Sequence, residues 1–196
     1  MMKSMAQTLP QLLKEIRHCD LCAAHLSEGV NPVLQAHRQT RLLIIGQAPG
    51  LRVHKTGVPW EDASGDRLRS WLGLDKAQFY GESVALVPMG FCYPGRGKSG
   101  DLPPRKECAP AWHEKLLEQL PNVQLTILIG QYAQNYYLPN RKKTLTATVK
   151  NFSEYLPEFL VLPHPSPRNN IWLAKNPWFE QKVIPLLQER VTNFLN

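Results

Sequence analysis

Short, unbroken apolar runs alternate along this chain with segments whose apolar residues recur every three or four positions. Residues 41–46 (RLLIIG), 83–88 (SVALVP), 124–129 (QLTILI) and 158–162 (FLVL in part) are of the first kind. Runs this short, rich in aliphatic and β-branched side chains, predict buried strands. Residues 6–18 place Leu9, Leu12, Leu13 and Ile16 on one side, and residues 64–74 do the same with Leu68, Trp71 and Leu72. Helices are also predicted over 109–119, which Ala109-Pro110 opens, over 131–138, and over most of 176–194, where Pro185 kinks the helix or ends its first part. Strands apolar on both faces and separated by helices predict an α/β fold. The expected form is a three-layer α/β/α sandwich around a central, mostly parallel four-stranded sheet. One domain is expected over 1–196, because the 17 prolines and 12 glycines are spread between apolar segments and mark no linker.

Open parallel sheets bind ligands beyond the carboxyl ends of their strands. That rule selects the loops after Gly46, Pro88, Gly130 and Leu162. The first reads Gly46-Gln47-Ala48-Pro49-Gly50, followed by His54, Gly57, Pro59, Trp60 and Glu61-Asp62-Ala63-Ser64-Gly65. Glycines directly after a buried strand let the backbone approach a ligand, and they also serve a plain strand-to-loop turn. The last reads Pro163-His164-Pro165-Ser166-Pro167-Arg168-Asn169-Asn170. Three prolines stiffen this backbone, and a histidine held between them is poorly placed to fill a core. Ser166 or the asparagines can cap the helix that follows.

Composition narrows the classes. The chain has 196 residues, 43% hydrophobic and 20% charged, enough for a packed core. The apolar runs are too short to cross a bilayer, which takes about 20 residues. The first residues lack the apolar block of a signal peptide, so a cytoplasmic protein without membrane partners is expected. A formal charge of +7 fits an anionic partner and equally a solvated basic surface. The four cysteines are too few for a disulfide scaffold, and their spacing points to metal or redox chemistry.

Together these motifs resemble the uracil-DNA glycosylase superfamily, most closely its iron–sulfur, family 4-like branch. The branch has a GEAPG-like first motif, then a glycine, a proline and an aromatic, then a glycine opening a helix. Here these are GQAPG, Gly57, Pro59, Trp60 and Gly65, with no gap needed. Its second motif is HPS-like and falls on His164-Pro165-Ser166. ILIGQYAQNYYL resembles its third strand and the glycine-led helix after it. The resemblance runs from about Cys19 to Pro167.

The cysteines follow the same layout: Cys19-Asp20-Leu21-Cys22, then Cys92 and Cys108 flanking a basic loop rich in proline and glycine. The resemblance implies a 4Fe–4S cluster on these four thiolates, although four-cysteine structural zinc uses the same ligand set. Such a centre would pin the N-terminal segment and the 93–107 loop. Arg96, Lys98, Arg105 and Lys106 would then lie near a nucleic-acid backbone, with Arg168 as a further phosphate contact.

The resemblance implies a DNA-repair N-glycosylase acting as a monomer on DNA that carries uracil or another deaminated base. Such an enzyme flips a nucleotide into a pocket and hydrolyses its N-glycosidic bond. Trp60 would stack on the base, Gly46, Ala48 and Ser166 would line its pocket, and His164 would donate to the base as charge builds. The sequence departs from the branch at Gln47, where the branch has a catalytic glutamate. It departs again at Pro88, where the branch has its uracil-reading asparagine. Ala48 stands where the main branch has an aspartate. Glu61, Asp62 or His54 would then supply the missing group, while Asp62 and Ser64 also read as helix caps. Trp172, Trp178 and Phe179 read as core packing of the last helix. The alternative within the same fold is a nucleic-acid-binding member with little or no catalysis. An unrelated α/β hydrolase or transferase would leave the cysteine layout as coincidence.

Overall fold

The computed structural model describes residues 7–195, so the first residue of the helix expected over 6–18 lies outside the described residues. The strands are β1 (Leu42–Ile45), β2 (Val84–Leu86), β3 (Arg96–Gly97), β4 (Gly100–Asp101), β5 (Leu125–Ile129) and β6 (Phe159–Leu162). Four of them form one sheet in the order β2-β1-β5-β6, and every pairing in it is parallel. The expectation of a mostly parallel sheet is thus sharpened. The only antiparallel pair among the described strands is a separate ribbon, β3 with β4, which periodicity cannot reveal because each strand has two residues.

The strands are buried on both faces, and their side chains alternate between two cores. Leu43, Ile45, Ala85, Val87, Leu128 and Val161 face α1 (Leu9–Arg17). Leu42, Ile44, Val84, Leu86, Ile127 and Leu160 face the opposite core. That alternation is the period-two rule of a pleated strand with helices on both sides.

The remaining helices are α2 (Leu51–Thr56), α3 (Ala63–Leu72), α4 (Lys76–Phe79), α5 (Cys108–Glu118), α6 (Gly130–Tyr137), α7 (Leu145–Lys150), α8 (Asn170–Lys175) and α9 (Ile184–Leu195). Helices α1, α5 and α6 cover the first face; α3, α7 and α9 cover the second. Of these, α2, α4, α7 and α8 are too short for a hydrophobic period to show. Pro185 stands where a π-helical turn over Phe179–Val183 passes without a break into α9, so the first part of the helix ends there as expected: a proline cannot donate the hydrogen bond that a regular α-helix needs at that position. Phe179 is fully buried against Trp71, as the core reading of that aromatic cluster expects.

The chain leaves β1 toward β2 on one side and returns as β5 on the other. The order therefore reverses beside β1, where ligand crevices form in open parallel sheets.

Candidate active site

A cavity of about 460 Å³ opens beyond the carboxyl ends of β1, β2 and β6. Its floor is Gly46, Gln47 and Ala48, and one wall carries Trp60, Asp62 and Ser64. The loop after β6 contributes His164, Ser166, Arg168 and Asn169, and the ribbon side contributes Ser99, Gly100, Asp101 and Leu102. Three of the four loops picked out by the sheet rule thus reach the cavity. The fourth supports it from behind: a Cβ on Gly130 would stand 3.9 Å from the Cβ of His164.

The His164 loop is tied at several points. Gln134, buried on α6, donates to the carbonyls of Leu128 (3.3 Å) and Leu162 (2.9 Å) just before the turn. Asn169 Nδ2 donates to the His164 carbonyl (2.7 Å), and Arg67 reaches the Ser166 carbonyl (3.2 Å) from α3. The Ser166 backbone N–H donates to His164 Nδ1 at 3.2 Å. An Nδ1 that accepts leaves the proton of a neutral imidazole on Nε2. Burial pushes His164 below the ordinary histidine range, with the Asp62 charge opposing the shift. The loop therefore holds a neutral imidazole with Nε2–H as its free donor.

The Trp60 ring stacks on His164, with centroids 5.7 Å apart and planes at 29°. Trp60 is the only non-glycine with a positive φ (58°) among the described residues. Such a backbone costs about 1–3 kcal/mol and persists only where its surroundings enforce it. The enforcement is visible here. A Cβ on Gly65 would fall 1.7 Å from the Trp60 carbonyl oxygen, and one on Gly46 would fall 2.7 Å from Trp60 Cζ2. Tyr80 also donates to the adjoining Pro59 carbonyl at 2.8 Å. The close approach that Gly46 permits is thus made by an indole.

Asp62 is the N-cap of α3: its Oδ1 accepts from the Gly65 N–H at 2.8 Å. It also lines the cavity. Pro88 lines the cavity too, and its carbonyl is engaged by the buried His113 at 3.0 Å. His113 also meets the Tyr137 hydroxyl at 2.6 Å and stacks on Phe91. Burial holds it down at about 4, so it stays neutral.

Other expected residues are not brought to the cavity. His54 lies outside its lining. The ring sits 6.0 Å from Tyr93, Nε2 meets the Glu28 carbonyl at 3.2 Å, and the His54 carbonyl accepts from Asn31. Its place on α2 turns the imidazole toward the 28–31 segment. Arg105 lies apart as well, in an ion pair with Glu107 at 2.7 Å. Arg96 and Lys98 are exposed on the ribbon, outside the lining, whereas Arg168 reaches both the cavity and the Ser99 carbonyl (3.4 Å). Asp101, Asn169 and His113 were missed from sequence. Only the fold gives them partners, although Asn169 sits close enough to the proline-rich loop to be suspected.

Cys19, Cys22, Cys92 and Cys108 line one further cavity together with Arg105 and Phe91, and all four are free thiols. The Phe91 N–H donates to Cys108 Sγ (3.3 Å), and Trp112 Nε1–H donates to Cys19 Sγ (3.3 Å). Burial raises the Cys108 thiol to about 12, and also raises Cys92 and Cys22. Among the described residues no three His, Cys, Asp or Glu side chains are grouped as ligands of a metal ion. No helix among them is long and apolar enough to cross a membrane.

A reversal crevice in a parallel sheet, carrying a neutral histidine on a proline-stiffened loop, defines an α/β protein with a candidate ligand site at its strand ends. The family model described as the uracil DNA glycosylase superfamily matches residues 34–188, and the chain belongs to that superfamily. It is also similar to the type-4 uracil-DNA glycosylase of Thermotoga maritima, at 24% identity over 164 residues, 82% of this chain and 83% of that protein.

Proposed function

We propose that this protein is a DNA N-glycosylase that removes uracil or another deaminated base from DNA. The observation that carries the reading is the neutral His164, its tautomer set by the Ser166 N–H and its ring stacked on Trp60, inside a cavity at the strand ends. An N-glycosidic bond breaks with positive charge on the sugar and negative charge on the departing base. A preorganised Nε2–H at the base oxygen stabilises that charge without reorganisation, an effect usually among the largest in a site of this kind. Trp60 keeps the imidazole oriented and presents its remaining surface to the base. Gly46, Ala48 and Ser166 complete the pocket, and Arg168 at the rim meets the phosphate chain. Arg96 and Lys98 extend the cationic surface along the ribbon.

The four cysteines hold a 4Fe–4S cluster in this reading. The donor set fits. The four thiols face one cavity, N–H groups point at Cys19 and Cys108, and Arg105 Nε is buried there without a partner. A thiol as reluctant to ionise as Cys108 becomes a thiolate only with a cation beside it. The cluster's part is to cross-link the N-terminal segment to the 92–108 loop. Protein purified without air is brown and contains iron; colourless protein with stoichiometric zinc replaces the assignment.

The test of the activity is base release from oligonucleotides carrying uracil, hypoxanthine or xanthine, single- and double-stranded, read by alkaline cleavage beside a His164→Ala control. The neutral Gln47 and the donor-less Pro88 in the cavity favour a second reading, a DNA-binding member without catalysis. That reading prevails if DNA is bound and no base is released.

A further inference from the structure

Gln47 is neutral, yet two carboxylates reach the same cavity from different elements. Asp62 comes from the cap of α3, and Asp101 comes from β4 of the ribbon. Each has one oxygen tied and the other turned to a common place. Asp62 Oδ1 accepts from the Gly65 N–H, and Asp101 Oδ1 accepts from the Tyr93 hydroxyl at 3.2 Å. A Cβ built on Gly50 would stand 4.0 Å from Asp62 Oδ2 and 3.7 Å from Asp101 Oδ2. The two free oxygens therefore flank Gly50, at the end of the strand loop that forms the cavity floor. A space between polar oxygens at an open cavity is where a water finds the two or more partners it needs.

We propose that Asp101 is the general base of this site and activates the water that attacks the sugar, with Asp62 as the second acceptor that orients that water. The inference rests on the glycosylase reading above. In the step, the water oxygen bonds to the sugar carbon C1′ as the C1′–N bond breaks, and the bonding pair leaves with the base. Asp101 takes the water proton, which then passes to the base anion, so the products are the free base and a 1′-hydroxyl sugar. Asp62 is the weaker candidate for base, because its carboxylate is committed through Oδ1 to the cap on α3 and cannot swing toward the sugar without losing it. Asp101 has no such duty: it is solvent-exposed and held only through Tyr93. The ribbon that carries it is joined to the His164 loop by Arg168, through the Ser99 carbonyl and against Gly100, where a Cβ would fall 2.3 Å from Arg168 Nη1.

The experiment is single-turnover base release by wild type, Asp101→Asn, Asp101→Glu and Tyr93→Phe, with DNA affinity and thermal unfolding measured on each. Removing a general base slows a reaction by about 100-fold or more. The proposal expects that loss in Asp101→Asn at unchanged DNA affinity and unfolding temperature, partial recovery in Asp101→Glu, and a smaller loss in Tyr93→Phe. An active wild type with Asp101→Asn within threefold of it overturns this proposal alone. A loss in Asp101→Asn accompanied by weaker DNA binding and a lower unfolding temperature also overturns it, in favour of a structural role. A wild type that releases no base overturns the glycosylase reading and this proposal with it.

Discussion

Gly46→Ala tests how tightly the indole is seated. The new Cβ would stand 2.7 Å from Trp60 Cζ2, whereas carbon atoms pack at about 3.5–4.0 Å. The ring must therefore retreat by about 1 Å. Trp60 cannot move as a whole, since Gly65 already backs its carbonyl and its φ is already left-handed. The displacement passes to the indole and to the His164 ring stacked on it. Misplacing a reacting group by about 1 Å costs on the order of 100-fold in rate, and overpacking of this kind costs about 1–3 kcal/mol. For a chain of this length that stability loss lowers the unfolding temperature by roughly 2–12 °C. Single-turnover base release and thermal unfolding read the two effects separately. In a Trp60→Phe background the clashing atom is gone, so Gly46→Ala should be nearly silent there and the double-mutant cycle should show coupling. Gly46→Ala as active and as stable as the parent, or additive with Trp60→Phe, would refute the reasoning.

Three further outcomes are expected. His164→Ala should slow base release by about 100- to 1000-fold while DNA affinity, measured by fluorescence anisotropy, stays the same. Stability should be fully present above about pH 6.5 and be lost as pH falls toward about 4. In that window the unfolded chain takes up a proton that the buried His113 refuses. Urea unfolding at successive pH values checks this, and His113→Gln should flatten the dependence. Asp62→Ala should cost about 1 kcal/mol through the lost helix cap, whereas Asp62→Asn, which also caps, should keep the unfolding temperature.

Much of the architecture was written into local pattern. Residues 41–46, 83–88, 124–129 and 158–162 read as buried strands because the runs are short and aliphatic, and strands apolar on both faces need helices above and below. The sheet rule points at the loops holding Gly46, Trp60 and His164, and the cysteine spacing points at one shared site. His54 shows the limit: α2 turns it toward residues 28–31 instead of the cavity. So does Trp60, whose stacking partner within the protein is His164.

Sequence alone determined the layers, the strand ends and the types of side chain gathered there, since burial imprints a short period on neighbouring positions. Tertiary structure alone decided which oxygen faces which, that Trp60 stacks on His164, and that Asp101 joins Asp62 across Gly50. Contacts between residues tens of positions apart impose no period on the chain, so they become visible only once it has closed on itself.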